Sequence, residues 1–169
     1  MKLFKKNKKI DLKKILIILT LILAVLVAGV ILATISKPKE DFYRLGVYFN
    51  NAKLDPEFSC NKVFPVERKV LRDQDPKRAV LWELLSGPTE DEKIEGFFTS
   101  INPGVKINSI SVIGRTVRVD FDEQLGFQVG GSCRVAAISA EITQTLKQFK
   151  DIDNVIISIN GRTEDTLQP

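Results

Sequence analysis

The chain has 169 residues, 44% of them hydrophobic and 27% charged, with no His. That length allows one modest domain plus an appendage, and the lack of His removes a Ser-His-Asp triad, a His general base and a typical zinc site. A net charge of +4 would ordinarily raise nucleic acid as a partner, but residues 1–14 hold seven Lys and one acid; 25 basic residues less seven, and 21 acidic less one, leave 18 and 20, a net −2.

The basic tail, residues 1–14, runs into residues 15–35 (ILIILTLILAVLVAGVILATI), which carry no charge. As a helix this run spans the roughly 30 Å hydrocarbon core and satisfies its own backbone groups there. A cleaved signal peptide is the competing reading, but its apolar region is about 7–15 residues long and ends at a small-x-small site. This run is longer and ends Ala33-Thr34-Ile35-Ser36. An uncleaved single-pass anchor is expected. Excess Lys beside a span stays in the cytoplasm, near anionic lipid, so the C-terminal domain is expected to be extracytoplasmic. Residues 36–43 (SKPKEDFY) form a polar linker that reaches at most roughly 28 Å. The domain is assigned to residues 44–165 and a C-terminal tail to 166–169.

Residues 44–50 alternate as a strand, with Leu45, Val47 and Phe49 on one side. A loop follows over 50–60, then a second strand over 62–71, where Pro65 demands an edge or an interruption. Asp75 and Pro76 open a helix with Val80, Leu81, Leu84 and Leu85 as its apolar stripe. Gly87 and Pro88 stop it. Thr89 and Glu92 have capping-box spacing, and Glu90, Asp91, Glu92 and Glu95 suit a helix N-terminus. Residues 89–95 are therefore expected to form a short solvated helical turn. A calcium loop is the other reading of these carboxylates, but D-x-D-x-D-G is absent. Pro103 and Gly104 mark a turn. Residues 106–113 and 116–121 alternate around Gly114-Arg115, as a two-residue hairpin requires. Val117, Val119 and Phe121 are expected in the core. Gly130, Gly131 and a capping Ser132 lead into the longest helix, with Val135, Ile138, Ile142, Leu146 and Phe149 on one face. Residues 155–159 (VIISI) read as a central strand, ended by Asn160-Gly161. The expected fold is α+β, a mixed sheet with two helices on one face in the order β-β-α-β-β-α-β.

Cys60 and Cys133 both fall in the domain, and outside the cytosol one disulfide is expected. It would close a loop of some 70 residues, worth about 4 kcal/mol in the chain-entropy account. Two separate buried thiols are the alternative.

The segments LWELLSGPTEDE (81–92), INPGVKINSISVIGRTVRVDF (101–121), GGS (130–132) and TQTLKQFKDIDNVIISINGR (143–162) together resemble the GerMN domain of sporulation and spore germination. Thr145, Leu146, Phe149, Ile152, Val155 and Gly161 match the family's closing helix and strand. The resemblance implies a non-catalytic, extracytoplasmic module of membrane-held envelope proteins. It supplies no catalytic residue, cofactor or metal. The chain has one such domain, not a tandem pair, and Cys60 and Cys133 lie outside the family pattern.

The leading expectation for function is an envelope module that binds a protein partner, associates with itself or recognises peptidoglycan, with sheet edges as one route. Glu90, Asp91 and Glu92 are the candidate contact surface. A glycan hydrolase is the alternative. It would use Asp120 and Asp122, outward-facing on one strand, as the carboxylate pair; two solvated carboxylates at a strand end is the simpler reading. Trp82, the single Trp, is expected in the core, with a glycan platform as the alternative.

Overall fold

The computed structural model describes residues 12–35, 41–163 and 167. It divides into two units, residues 1–40 and 41–169. Most of the basic tail, residues 36–40 of the linker and most of the C-terminal tail lie outside the described residues. In the first unit the charge-free run, extended at its start by Leu12, Lys13 and Lys14, forms α1 (Leu12–Ile35), whose Lys13–Val30 stretch is long and apolar enough to cross a membrane by length and composition.

In the second unit, alternation produces β1 (Phe42–Asn51) and β2 (Phe64–Leu71), antiparallel from Phe42↔Leu71 to Phe49↔Phe64. Pro65 sits in β2, which is an edge strand as expected. α2 (Pro76–Ser86) is capped by Asp75, whose side chain accepts from the Lys77 amide at 3.0 Å, and ends at Gly87 with a φ of 76°. α3 (Glu90–Ile94) begins with the Thr89–Glu92 capping box. The two-residue β3 (Phe97–Phe98) then pairs with the end of β1 through Asn50 and Asn51.

β4 (Ile107–Ile113) and β5 (Thr116–Phe121) form the hairpin, with Gly114 at the left-handed φ of 59° that the first turn position needs. A 3-10 turn (Glu123–Leu125) precedes α4 (Ser132–Lys147), and β6 (Asn154–Ile159) pairs parallel with β5. Val117, Val119 and Phe121 are fully buried against Leu81, Leu84, Ile138, Ile142 and Leu146.

The α+β class holds, but the strands form two three-stranded sheets, β2-β1-β3 and β4-β5-β6, where one mixed sheet was expected. The reason lies at the free side of β1. There the Gln148 side chain accepts from the Gly46 amide at 2.8 Å and donates to the Gly46 carbonyl at 2.7 Å. Thr145 Oγ1 accepts from the Tyr48 amide at 3.1 Å. Side chains from α4 and the residue after it thus occupy the ladder positions that a joining strand would use.

Three finer expectations are corrected. β6 is an edge strand, not a central one: Val155, Ile157 and Ile159 alternate onto the core, and Ile156 on the other side makes the run look continuously apolar. α4 is capped by Gly131 at a φ of 85°, and Ser132 is its first residue and makes no cap bond. Trp82 is 51% exposed, not core, because it lies one residue round the helix from Leu81, while Ala79, Val80, Leu81 and Leu84 fill the buried face.

Replacing Gln148 by Leu leaves the half-buried Gly46 amide and carbonyl without partners. It is expected to cost about 1–3 kcal/mol, read as a lower denaturation midpoint of the purified chain. An unchanged midpoint would show that the edge of β1 needs no such partner.

Candidate functional site

Asn50 and Asn51 end β1, and the Asn51 side chain starts the next loop. Its Oδ1 accepts from the Lys53 and Leu54 amides at 2.8 and 3.0 Å, and its Nδ2 donates to the Glu95 carbonyl at 3.3 Å. Asp55 then accepts from the Ser59 amide and hydroxyl at 2.7 and 2.8 Å. These bonds hold the Asp55 carboxyl below its ordinary value. Phe58 and Cys60 take left-handed φ values of 50° and 62°, which residues with a Cβ adopt only under local constraint. Cys60 is bonded to Cys133 in the first turn of α4, so the expected disulfide is present and ties this loop to that helix.

Between loop and helix lies a cleft of about 370 Å³, within the range of small-ligand sites. Phe58 and Phe98 form its apolar wall, ring centroids 6.2 Å apart. Asn50, Ser100, Lys62 and Arg134 supply polar groups. Arg134 donates to the Ser100 carbonyl (3.3 Å), the Gln128 carbonyl (3.3 Å) and Asn102 Oδ1 (2.7 Å), all of them neutral. Asn102 in turn donates to the carbonyls of Gln124 and Phe127, joining the loops that frame the entry to α4.

Next to Ser100, in the protein interior, is Glu141, with 0% exposure. It accepts from Thr99 Oγ1 at 2.5 Å and from the Ser100 amide at 2.8 Å. Burial, only partly opposed by these two bonds, pushes its carboxyl up to about 7.

The sequence-predicted residues mostly serve architecture. Glu92 completes the capping box and pairs through both oxygens with Arg68, which also approaches Glu83 at 3.4 Å. The Arg68 hydrogen bond holds the Glu92 carboxyl below its ordinary value. The turn was expected to be solvated, yet Glu92 is largely covered. Glu90 is exposed and paired with Lys93. Burial pushes Asp120 up, but hydrogen bonds from Ser158, the Gly161 amide and Asn108 outweigh it, leaving the carboxyl below its ordinary value. A general acid needs the opposite shift. Asp122 accepts from the Lys106 amide at 3.1 Å. Neither Asp lines the cleft. Gly87, Pro88, Gly104, Gly114 and Gly161 sit at turns, all four glycines at positive φ, and Pro103 precedes Gly104.

The cleft itself was missed. Its residues come from β1, a loop, β3 and α4, and no local pattern joins them. Glu141 did leave a signal: it lies three residues after Ile138 and one before Ile142, a carboxylate on the apolar face of its helix.

Removing the bridge by Cys60→Ser with Cys133→Ser is expected to lower stability by about 2–4 kcal/mol and to open residues 53–62 to limited proteolysis. Equal denaturation midpoints with and without reductant would contradict this. Glu141 binds its proton more tightly folded than unfolded, so its contribution is complete below pH 4.5 and is lost as pH rises through about 7. Relative to Glu141→Gln, the wild type is expected to lose about 3 kcal/mol between pH 4.5 and 8. A constant difference across that range would show that Glu141 titrates normally.

The sequence profile of one family, described as "Germane: Sporulation and spore germination", matches residues 46–165. Among solved structures, the tandem GerMN domains of the sporulation protein GerM from Bacillus subtilis align at a TM-score of 0.57 and 22% identity, covering 73% of this chain and 40% of that one. The first GerMN domain of the same protein aligns at a TM-score of 0.51 and 20% identity, covering 72% of this chain and 85% of that one. The chain thus spans about two fifths of the tandem structure's length. No curated protein matches. At these identities the structures establish the fold.

Proposed function

The chain belongs to the Germane family of sporulation and spore germination domains, and from that premise we propose that it is a membrane-held envelope module that works outside the cytoplasm by contact, not catalysis. The observation that carries this reading is the Cys60–Cys133 disulfide in a domain that follows an apolar helix in the sequence. Disulfides persist outside the reducing cytosol, and the Lys-rich residues before α1 favour a cytoplasmic N-terminus. Contact in place of chemistry fits the carboxylates. Those a hydrolase would use are engaged by Ser158, Gly161, Asn108 and the Lys106 amide.

The outer edge of β4 offers a route for association. Asn108 forms a bulge there, with its amide bonded to Asp120 and Phe121, which blunts one end of the edge. The other end presents Val112 and Ile113, the latter 71% exposed. A partner protein or a second copy can add a strand along such an edge.

Protease added to intact protoplasts that express the full chain is expected to remove the second unit while sealed membranes protect the N-terminus. Full protection of the domain would overturn the topology. A photo-crosslinker at Ile113 is expected to give an adduct of discrete mass in native membranes. No adduct from Ile113, Val112 or Asp91 would overturn the contact reading.

A further inference from the structure

The cleft between the disulfide loop and α4 has features that association along a sheet edge does not use. Its charged lining consists of Lys62, Arg134 and Asp55. Asp55 is already taken up by two bonds from Ser59, and Lys62 Nζ stands 3.9 Å from it. Arg134 has neutral acceptors throughout. Two cations against one engaged acid leave the cleft one positive charge in excess, which suits a singly charged anion better than a phosphate monoester of nearly twice that charge. An Arg guanidinium is also well shaped for a carboxylate.

The rest of the ligand is constrained by the walls. Phe58, 57% exposed, and Phe98 offer apolar ring surface. Opposite in character are Asn50 and Ser100, whose mutual bond is a long 3.3 Å; the Asn50 amide reaches the Lys62 carbonyl, also at 3.3 Å. A purely alkyl body, as in a fatty acid, would cover these polar groups without pairing them, at a cost. A peptide backbone supplies donors and acceptors to match, and its side chain suits the phenylalanine wall. The volume of about 370 Å³ admits a few residues, not a folded partner.

We propose that this cleft binds the free C-terminal end of a short peptide segment, with the carboxylate at Arg134 and Lys62 and the last apolar side chain against Phe58 and Phe98. The site is independent of membrane topology and of the β4 edge, so its failure leaves the contact reading standing, and the reverse also holds.

The test uses the purified full chain in lipid nanodiscs with the disulfide intact. The probes are acetyl-Ala-Ala-Leu as the free acid, the same peptide as the carboxamide, and octanoate. Calorimetric or NMR titration is expected to show saturable binding of the free acid below about 10 mM, with the carboxamide at least about tenfold weaker because the charge-assisted bonds are lost. Lys62→Gln, a change at an exposed side chain, is expected to weaken the acid several-fold and leave the carboxamide unchanged. Arg134→Gln is expected to do the same more strongly; Phe58→Ala is expected to weaken both peptides. Three results would overturn the proposal: no binding of the free acid, equal binding of acid and carboxamide, or octanoate binding as tightly as the peptide acid. Unfolding midpoints of each variant identify any loss caused by misfolding, and Lys62→Gln decides the matter if Arg134→Gln does not fold.

Discussion

Much of this domain depends on how α4 and the residue after it meet the side of β1. The Gln148 side chain copies a neighbouring strand by bonding both backbone groups of Gly46, and Thr145 satisfies the Tyr48 amide. These bonds matter because a half-buried strand edge must find partners for its polar backbone. A helix that supplies them cannot lie far from the strand, and its register is set by the spacing from residue 145 to 148. A Cβ at Gly46 would crowd the Tyr48 ring at 3.3 Å and touch Pro65 Cβ at 3.4 Å, while Gln148 Oε1 at 3.8 Å would be in ordinary contact. The helix therefore separates two small sheets, and its first turn is carried to the loop that leaves β1. The cleft is a by-product of that docking.

Local chemistry made much of this legible. Asp75, Pro76 and Gly87 mark α2 because each relieves a different deficit at a helix end, and the Thr89–Glu92 box marks α3 for the same reason. Val117, Val119 and Phe121 alternate because one face of their sheet is buried. What stayed hidden depends on distance in the sequence. Nothing in "VIISI" says that β5 is the middle strand, since Ile156 masks the alternation. Nothing near Trp82 says that four smaller residues already fill its helix's inner face. Arg68, which draws Glu92 out of the solvent, lies 24 residues before it. The cleft assembles from segments as far apart as Asn50 and Ala137, so no window of sequence contains it.

The same contrast explains the carboxylates. An acidic cluster attracts a chemical reading because charges gathered in sequence suggest charges gathered in space. Here Glu92 joins Arg68, Glu90 joins Lys93, and Asp120 and Asp122 accept from separate donors. Among the described residues, the carboxyl with a raised affinity for protons is Glu141, which belongs to no acidic cluster and is fully buried beside Thr99 and Ser100.

The two cysteines are 73 residues apart, and β2, α2, α3, β3, β4 and β5 all lie between them. A ribosome delivers the chain from its N-terminus, so Cys60 waits as a free thiol until Cys133 has emerged. With no third cysteine in the chain, the delay carries no risk of a wrong intramolecular partner. It does carry a risk of pairing with another chain. Much of the core, Ile138, Ile142 and Leu146 among it, follows Cys133 in the chain, so the bridge can close before the core is complete, and the interval before closure is when two copies could become covalently joined.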